Sequence, residues 1–174
     1  MAAALGQKGK KTLLIDIDPQ GNSTSGVGID KSTVEYSTYD VLTGEATARS
    51  IMVETEFKNL YILPANMNLA GAEVELAELE NRNSILKRAI ATLVMEFDFI
   101  IIDCPPSLGM LSINALVAAD TVIVPLQCEY YALEGLSQLM HTIHLVQERL
   151  NPNLEMEGCL LYTSPSPRDT ERSR

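Results

Sequence analysis

The chain has 174 residues, 46% apolar and 21% charged, with a formal net charge of −10 at pH 7. That length supports one core, burying roughly 70% of the unfolded chain's surface when complete, and the composition excludes disordered and fibrous classes. No apolar run of about 18 residues occurs, so no transmembrane helix is expected, and residues 1–8 lack the basic start and apolar stretch of a signal peptide.

Taken in chain order, residues 1–8 resemble the end of a helix, and Thr12–Ile17 is predicted as a strand. A Gly/Ser/Thr loop follows at 21–28, a short helix at 37–43, and an edge strand at Leu60–Leu63 stopped by Pro64. Between Leu69 and Met95, the residues Leu76, Leu79, Leu86, Ala89, Ile90 and Leu93 keep near-helical spacing. They fit one long helix, or two broken near Asn81–Asn83. A strand at 99–103, a helix near 109–118, a strand at 121–125, a helix at 132–150 and a strand at 157–161 complete the pattern. Strands alternating with helices give an α/β fold: a doubly wound, mostly parallel sheet with helices on both faces. No internal repeat is seen.

The chemistry concentrates where two apolar runs end in acids, Leu13-Leu14-Ile15-Asp16-Ile17-Asp18 and Phe99-Ile100-Ile101-Ile102-Asp103. Runs rich in Ile and Leu, closed by Pro or Gly, read as strands buried on both faces. Open α/β sheets bind ligands at the carboxyl ends of such strands. An unpaired buried carboxylate is costly, so these acids are expected to face a metal, a water or a phosphate site. Acids in solvated turns are the plain alternative. Their repetition on two strands favours a ligand site.

Three blocks carry a specific resemblance: L-L-I-D-I-D-P-Q-G-N-S-T-S-G at 13–26, F-D-F-I-I-I-D-C-P-P-S-L at 97–108 and V-P-L-Q-C-E-Y-Y-A-L-E-G at 124–135. Together they resemble the ParA/Soj partitioning ATPases, of the deviant P-loop class that includes MinD, from about residue 3 to about residue 161. The resemblance implies Mg²⁺ and ATP as cofactors, a homodimer switched by hydrolysis, a centromere-binding ParB-like partner and a cytoplasmic, nucleoid-associated protein without membrane contact. It assigns Asp18 to the attacking water and Asp103, as the Walker-B aspartate, to Mg²⁺ through water. Asp16 supports the metal shell, or else caps a helix or loop. Gln20, Gly21 and Asn22 shape a loop or switch, and Pro105, Pro106 and Ser107 resemble a γ-phosphate-sensing switch. Glu129, Tyr130, Tyr131 and Glu134 fall near the implied dimer face, although packing alone would explain them.

What the 174 residues do not contain matters equally. The family's K-G-G-V-G-K-T-T loop cradles phosphates with backbone N–H groups, yet no G-x-x-x-x-G-K-[ST] occurs here, so a Walker A loop is absent. Gly6-Gln7-Lys8-Gly9-Lys10-Lys11-Thr12 has the wrong spacing and precedes a strand, where a helix C-cap explains it. On this reading the chain begins too late, and residues 1–161 form a partial, P-loop NTPase-like domain. From about residue 162, Ser, Thr, Pro and Arg replace the apolar pattern, so 162–174 are expected to be a non-native or disordered tail. Non-specific DNA contact, a family property, needs clustered Lys and Arg and is assigned to regions not present here.

Three functions stay open: a partitioning ATPase, a division-site or flagellar-placement relative, and a non-catalytic interaction partner of an intact homologue. Other signals take plain readings. Cys104, Cys128 and Cys159 form no C-x-x-C pair, which fits reduced thiols and weakens an iron–sulfur role. His141 and His144 lack a third ligand nearby in sequence. Gly26-Val27-Gly28 lacks a third glycine, and Met67, Met95, Met110 and Met140 are expected in the core.

Overall fold

The structure, a computed structural model, describes residues 1–127 and 132–162, with side chains described for 1–126 and 135–160. Glu129, Tyr130, Tyr131, the side chain of Glu134 and the tail from 163 lie outside the described residues. The chain divides into two compact units, Met1–Ala119 and Asp120 onward.

The first unit holds α1 (Ala2–Gln7), β1 (Thr12–Asp16), α2 (Asn22–Gly26), α3 (Thr38–Thr43), α4 (Ala48–Ile51), β2 (Val53–Glu54), β3 (Leu60–Leu63), α5 (Leu69–Ala77), α6 (Ile85–Ile90), β4 (Phe99–Asp103) and α7 (Met110–Ala118). Its sheet runs β2-β3-β1-β4. β1 is parallel to β3 and β4, while β2 is antiparallel to β3. The two-residue period of β1 divides its side chains between two cores. Leu13 and Ile15 join Leu42, Leu63, Leu69, Leu76, Leu86, Leu93 and Leu111. Leu14 packs with Ala2, Val27, Leu60 and Ile62 on the opposite face. Helices on both faces account for the burial of every β1 residue. Each such aliphatic side chain contributes about 1.5–3 kcal/mol.

Local chemistry sets the boundaries. At the end of α1, Lys8 is the C-cap and Gly9 takes a left-handed φ of 82°, so the lysine-rich segment is a helix stop. Lys11 is engaged there, its ammonium over the Phe97 ring at 4.7 Å and its N–H donated to Asp98 Oδ2 at 2.8 Å. A capping box between Ser37 and Asp40 opens α3. Asn81, with φ of 56°, separates α5 from the Arg82–Ser84 turn and α6. Buried Asn114 on α7 spans that break, accepting from Leu86 N at 3.2 Å and donating to Arg82 O at 2.8 Å.

Several expectations need correction. Residues 21–28 are not all loop, because Asn22–Gly26 form α2. Leu60–Leu63 is an interior strand, flanked by β1 and β2. Met67, Met95 and Met140 are not core filler, being 63%, 93% and 40% exposed, and Leu79 is exposed as well. Met67, Met95 and Leu79 lie at turns or just past a helix end, and Met140 lies on a partly exposed face of its helix, so their spacing satisfied the pattern without facing an apolar layer.

The second unit has β5 (Thr121–Gln127), α8 (Ala132–Arg149) and β6 (Glu155–Tyr162), with β5 and β6 parallel. Gly158, at a φ of 150°, pairs with Ile123 just past a register shift between Val122 and Ile123. His141 and His144 are exposed on α8, and His144 Nε2 lies 3.2 Å from Glu148 Oε1. Among the described residues no helix is long and apolar enough to cross a membrane.

β4 ends the first sheet. Its Ile100–Ile102 are only half-buried and Phe99 is 43% exposed, in contrast to the buried β1. An apolar edge of this kind templates pairing between chains. Phe99→Lys is therefore expected to reduce self-association in sedimentation velocity across a concentration series, and an unchanged association constant would count against an exposed β4 edge.

Candidate functional site

Asp16 and Asp103 are register partners at the carboxyl ends of adjacent parallel strands. The chain beyond β1 turns back over them. Asp18 N donates to Asp16 Oδ1 at 3.1 Å, Gln20 N donates to Asp18 Oδ1 at 2.9 Å, and Gly21 N donates to Asp18 O at 2.8 Å. Gly21 adopts a left-handed φ of 59°, and a Cβ there would lie 2.6 Å from Lys31 Cδ. Glycine thus permits both the turn and the close approach. The Lys31 ammonium is committed to Gln20 O at 2.6 Å.

Asp16 is inaccessible to solvent and is the anchor of this region. Its Oδ2 accepts from Thr24 N and Thr24 Oγ1, both at 2.7 Å. Thr24 Oγ1 in turn accepts from Ala65 N at 2.9 Å, just beyond β3. One carboxylate and one hydroxyl therefore join the ends of β1, α2 and β3. Burial pushes the Asp16 carboxyl above its ordinary range; the bonds from Thr24 and Asp18 oppose this, and the charge of Asp103 adds to it. These contacts are those of a helix cap.

Asp18 and Asp103 differ. Both are half-buried. Ser23 Oγ donates to Asp103 Oδ2 at 2.6 Å, tying α2 to β4. Pro105 is half-buried, Pro106 and Ser107 are exposed, and Ser107 O accepts from Ser112 Oγ on α7. Gln20 and Asn22 are exposed. The structure thus brings Asp16, Asp18 and Asp103 to one end of the sheet, with Gln20–Asn22 and Pro105–Ser107 on the bordering loops. Lys8, Lys10 and Lys11 precede the opposite end of β1, roughly 13 Å away at the rise of an extended strand. A neighbouring cavity of about 370 Å³, lined by Pro19, Gln20, Lys31, Ser32, Asn66 and Met67 among others, includes none of the three acids.

Sequence reading missed Ser23 and Thr24. Their signal was available: Ser and Thr directly after a Gly turn can cap a helix or bond a nearby acid.

An α/β sheet with acids at the carboxyl ends of adjacent parallel strands is an arrangement that P-loop nucleoside triphosphatases share. Solved structures agree. The chain superposes with a TM-score of 0.89 and 44% identity on the cobyrinic acid a,c-diamide synthase from Mycobacterium smegmatis with bound ADP and magnesium, covering 98% of this chain and 70% of that one. A plasmid partition protein from Borrelia burgdorferi gives 0.76 and 26%, covering 99% and 77%. A family profile for an AAA domain matches residues 1–156. The chain is 54% identical over 161 residues to the sporulation initiation inhibitor protein Soj of Bacillus subtilis, covering 92% of this chain and 64% of that protein. It is 52% identical to the chromosome partitioning protein ParA of Myxococcus xanthus, covering 92% and 57%. The chain belongs to the ParA/Soj family of AAA-domain proteins. It spans about three-fifths of the length of these two curated relatives.

Two outcomes follow from the Asp16 network. Thr24→Val removes a buried donor to Asp16 and the acceptor of Ala65 N, and is expected to cost about 1–3 kcal/mol in urea unfolding; a change within about 0.5 kcal/mol would contradict the linkage. The second outcome concerns pH. Because the folded Asp16 pKa is raised above 3.8, its contribution is fully present below that value and is lost as pH rises through the folded value. The stability of the wild type minus that of Asp16→Asn should therefore fall with rising pH and then level off. A difference that rises instead would show a lowered pKa.

Proposed function

We propose that this chain is part of an ATP-dependent partitioning protein that moves replicated DNA, acting in the cytoplasm in association with the nucleoid. Mg²⁺-dependent hydrolysis switches a homodimer on DNA, under control of a ParB-like partner. The observation that carries this reading is the register pairing of Asp16 with Asp103, with Asp18 following β1, in a chain 54% identical to Soj and 52% identical to ParA.

The residues present fit one half of a nucleotide site. Asp103 offers hard carboxylate oxygen, suited to a Mg²⁺ ion that retains most of its waters. Among the described residues no group of three or more His, Cys, Asp or Glu is placed to hold a metal ion. Bound Mg²⁺ would neutralise phosphate charge. Asp103 would hold its hydration shell, with the carboxylate oriented by Ser23. Asp18 would take a proton from, or align, the attacking water. Asp16 would keep the platform in place. Pro105–Ser107 would report the state of the site through the chain that leaves Asp103.

The phosphate half is not met by these residues. The three lysines before β1 face the other end, and Lys31 is held by Gln20 O. We propose that the cradle comes from sequence that the longer relatives have beyond the part matched here, so no step is assigned to the nucleotide itself.

Equilibrium ATP binding with Mg²⁺ tests this. The 174-residue chain should bind weakly, and a chain completed with the relatives' K-G-G-V-G-K-T-T segment and remaining length should bind and hydrolyse ATP. In the completed protein, Asp18→Ala should reduce turnover by about two orders of magnitude or more with affinity nearly unchanged, whereas Asp103→Ala should weaken Mg²⁺-dependent binding as well. Undiminished hydrolysis in Asp18→Ala would overturn its role.

A further inference from the structure

Glu73, on α5, is left unexplained by the site. Its Oε1 is, among the described residues, the one buried side-chain polar atom with no hydrogen-bond partner. The carboxylate rests on the Cα of Gly109: a Cβ there would overlap Glu73 Oε1 and lie 2.7 Å from Cδ and 2.9 Å from Oε2. Gly109 has φ −86° and ψ −166°, which any residue can adopt, so the carboxylate alone excludes a side chain. α7 opens at this point with no side-chain cap and no acid in its first turn. Glu73 thus supplies, from another helix, the negative charge that the positive end of α7 lacks.

Gly109 closes the segment that begins after Asp103. Residues 104–108 run between the end of β4 and the start of α7, and Ser112 Oγ holds Ser107 O from within α7. Attraction to the α7 terminus and close seating on Gly109 favour the observed arrangement, while the unmatched oxygen opposes it. We propose that Glu73 and Gly109 form a latch that parks the 104–108 loop against α5, poised to release into a second arrangement in which the Glu73 carboxylate regains hydrogen-bond partners.

The test uses the 174-residue chain at high dilution, with Glu73→Ala, Gly109→Ala and the double variant. Urea unfolding gives a double-mutant cycle, and hydrogen exchange of peptides spanning 104–112 gives the opening of the loop. The latch predicts that Gly109→Ala lowers the folding equilibrium constant about tenfold when Glu73 is present, but less than about threefold in the Glu73→Ala background. It also predicts that Glu73→Ala speeds exchange across 107–111 about tenfold with β1 unchanged. Equal cost of Gly109→Ala in both backgrounds, or unchanged exchange in Glu73→Ala, overturns the proposal. Should Gly109→Ala alone fail to fold, folding of the double variant supports the latch and its failure refutes it.

Discussion

The structure around the site depends on one buried carboxylate. Asp16 closes β1 with no solvent contact and receives donors from Thr24, twice, and from Asp18 N. The two Thr24 donors are buried and would otherwise be unsatisfied in the interior. Asp16 therefore determines where α2 starts and where the chain turns after β1. Through the Thr24 hydroxyl it also positions the backbone beyond β3 at Ala65. Ser23, one residue before Thr24, can then reach Asp103. The position of the two half-buried acids follows from the cost of leaving the third unpaired.

This arrangement divides labour among three acids that look alike in sequence. Asp16 is saturated by the protein. Asp103 is oriented by one hydroxyl from α2, and Asp18 caps its own turn through Gln20 N. Saturated and unsaturated carboxylates serve different ends: the former resist movement, and the latter remain able to hold a hydrated cation or a water.

Strand chemistry made most of the fold legible from sequence. Thr12–Asp16 and Phe99–Asp103 are short β-branched or Leu-rich runs ending in acids, and both are strands with those acids at the shared end. The break between α5 and α6 was legible at Asn81, a residue tolerant of left-handed geometry. What escaped was set by non-local partners. Asn22–Gly26 has weak helix formers, and becomes a helix because Asp16, eight residues before Thr24, caps it. Leu60–Leu63 reads as an edge in sequence, stopped by Pro64; its second neighbour is only the two residues of β2, too short to register as a strand. The exposure of Met67 and Met95 depends on which side of a turn faces the core, and helical spacing does not encode that. Glu73 beside Gly109 joins α5 to the residue just before α7, with no signal in either segment alone.

The central claim is that Asp16 supports the fold while Asp18 and Asp103 are available for ligand. Urea unfolding of the three single alanine variants tests it most directly. Asp16→Ala should cost about 3 kcal/mol or more, because it strands several buried donors at once, with Asp18→Ala and Asp103→Ala each within about 1 kcal/mol of wild type. Equal destabilisation by all three, or a neutral Asp16→Ala, would contradict the account.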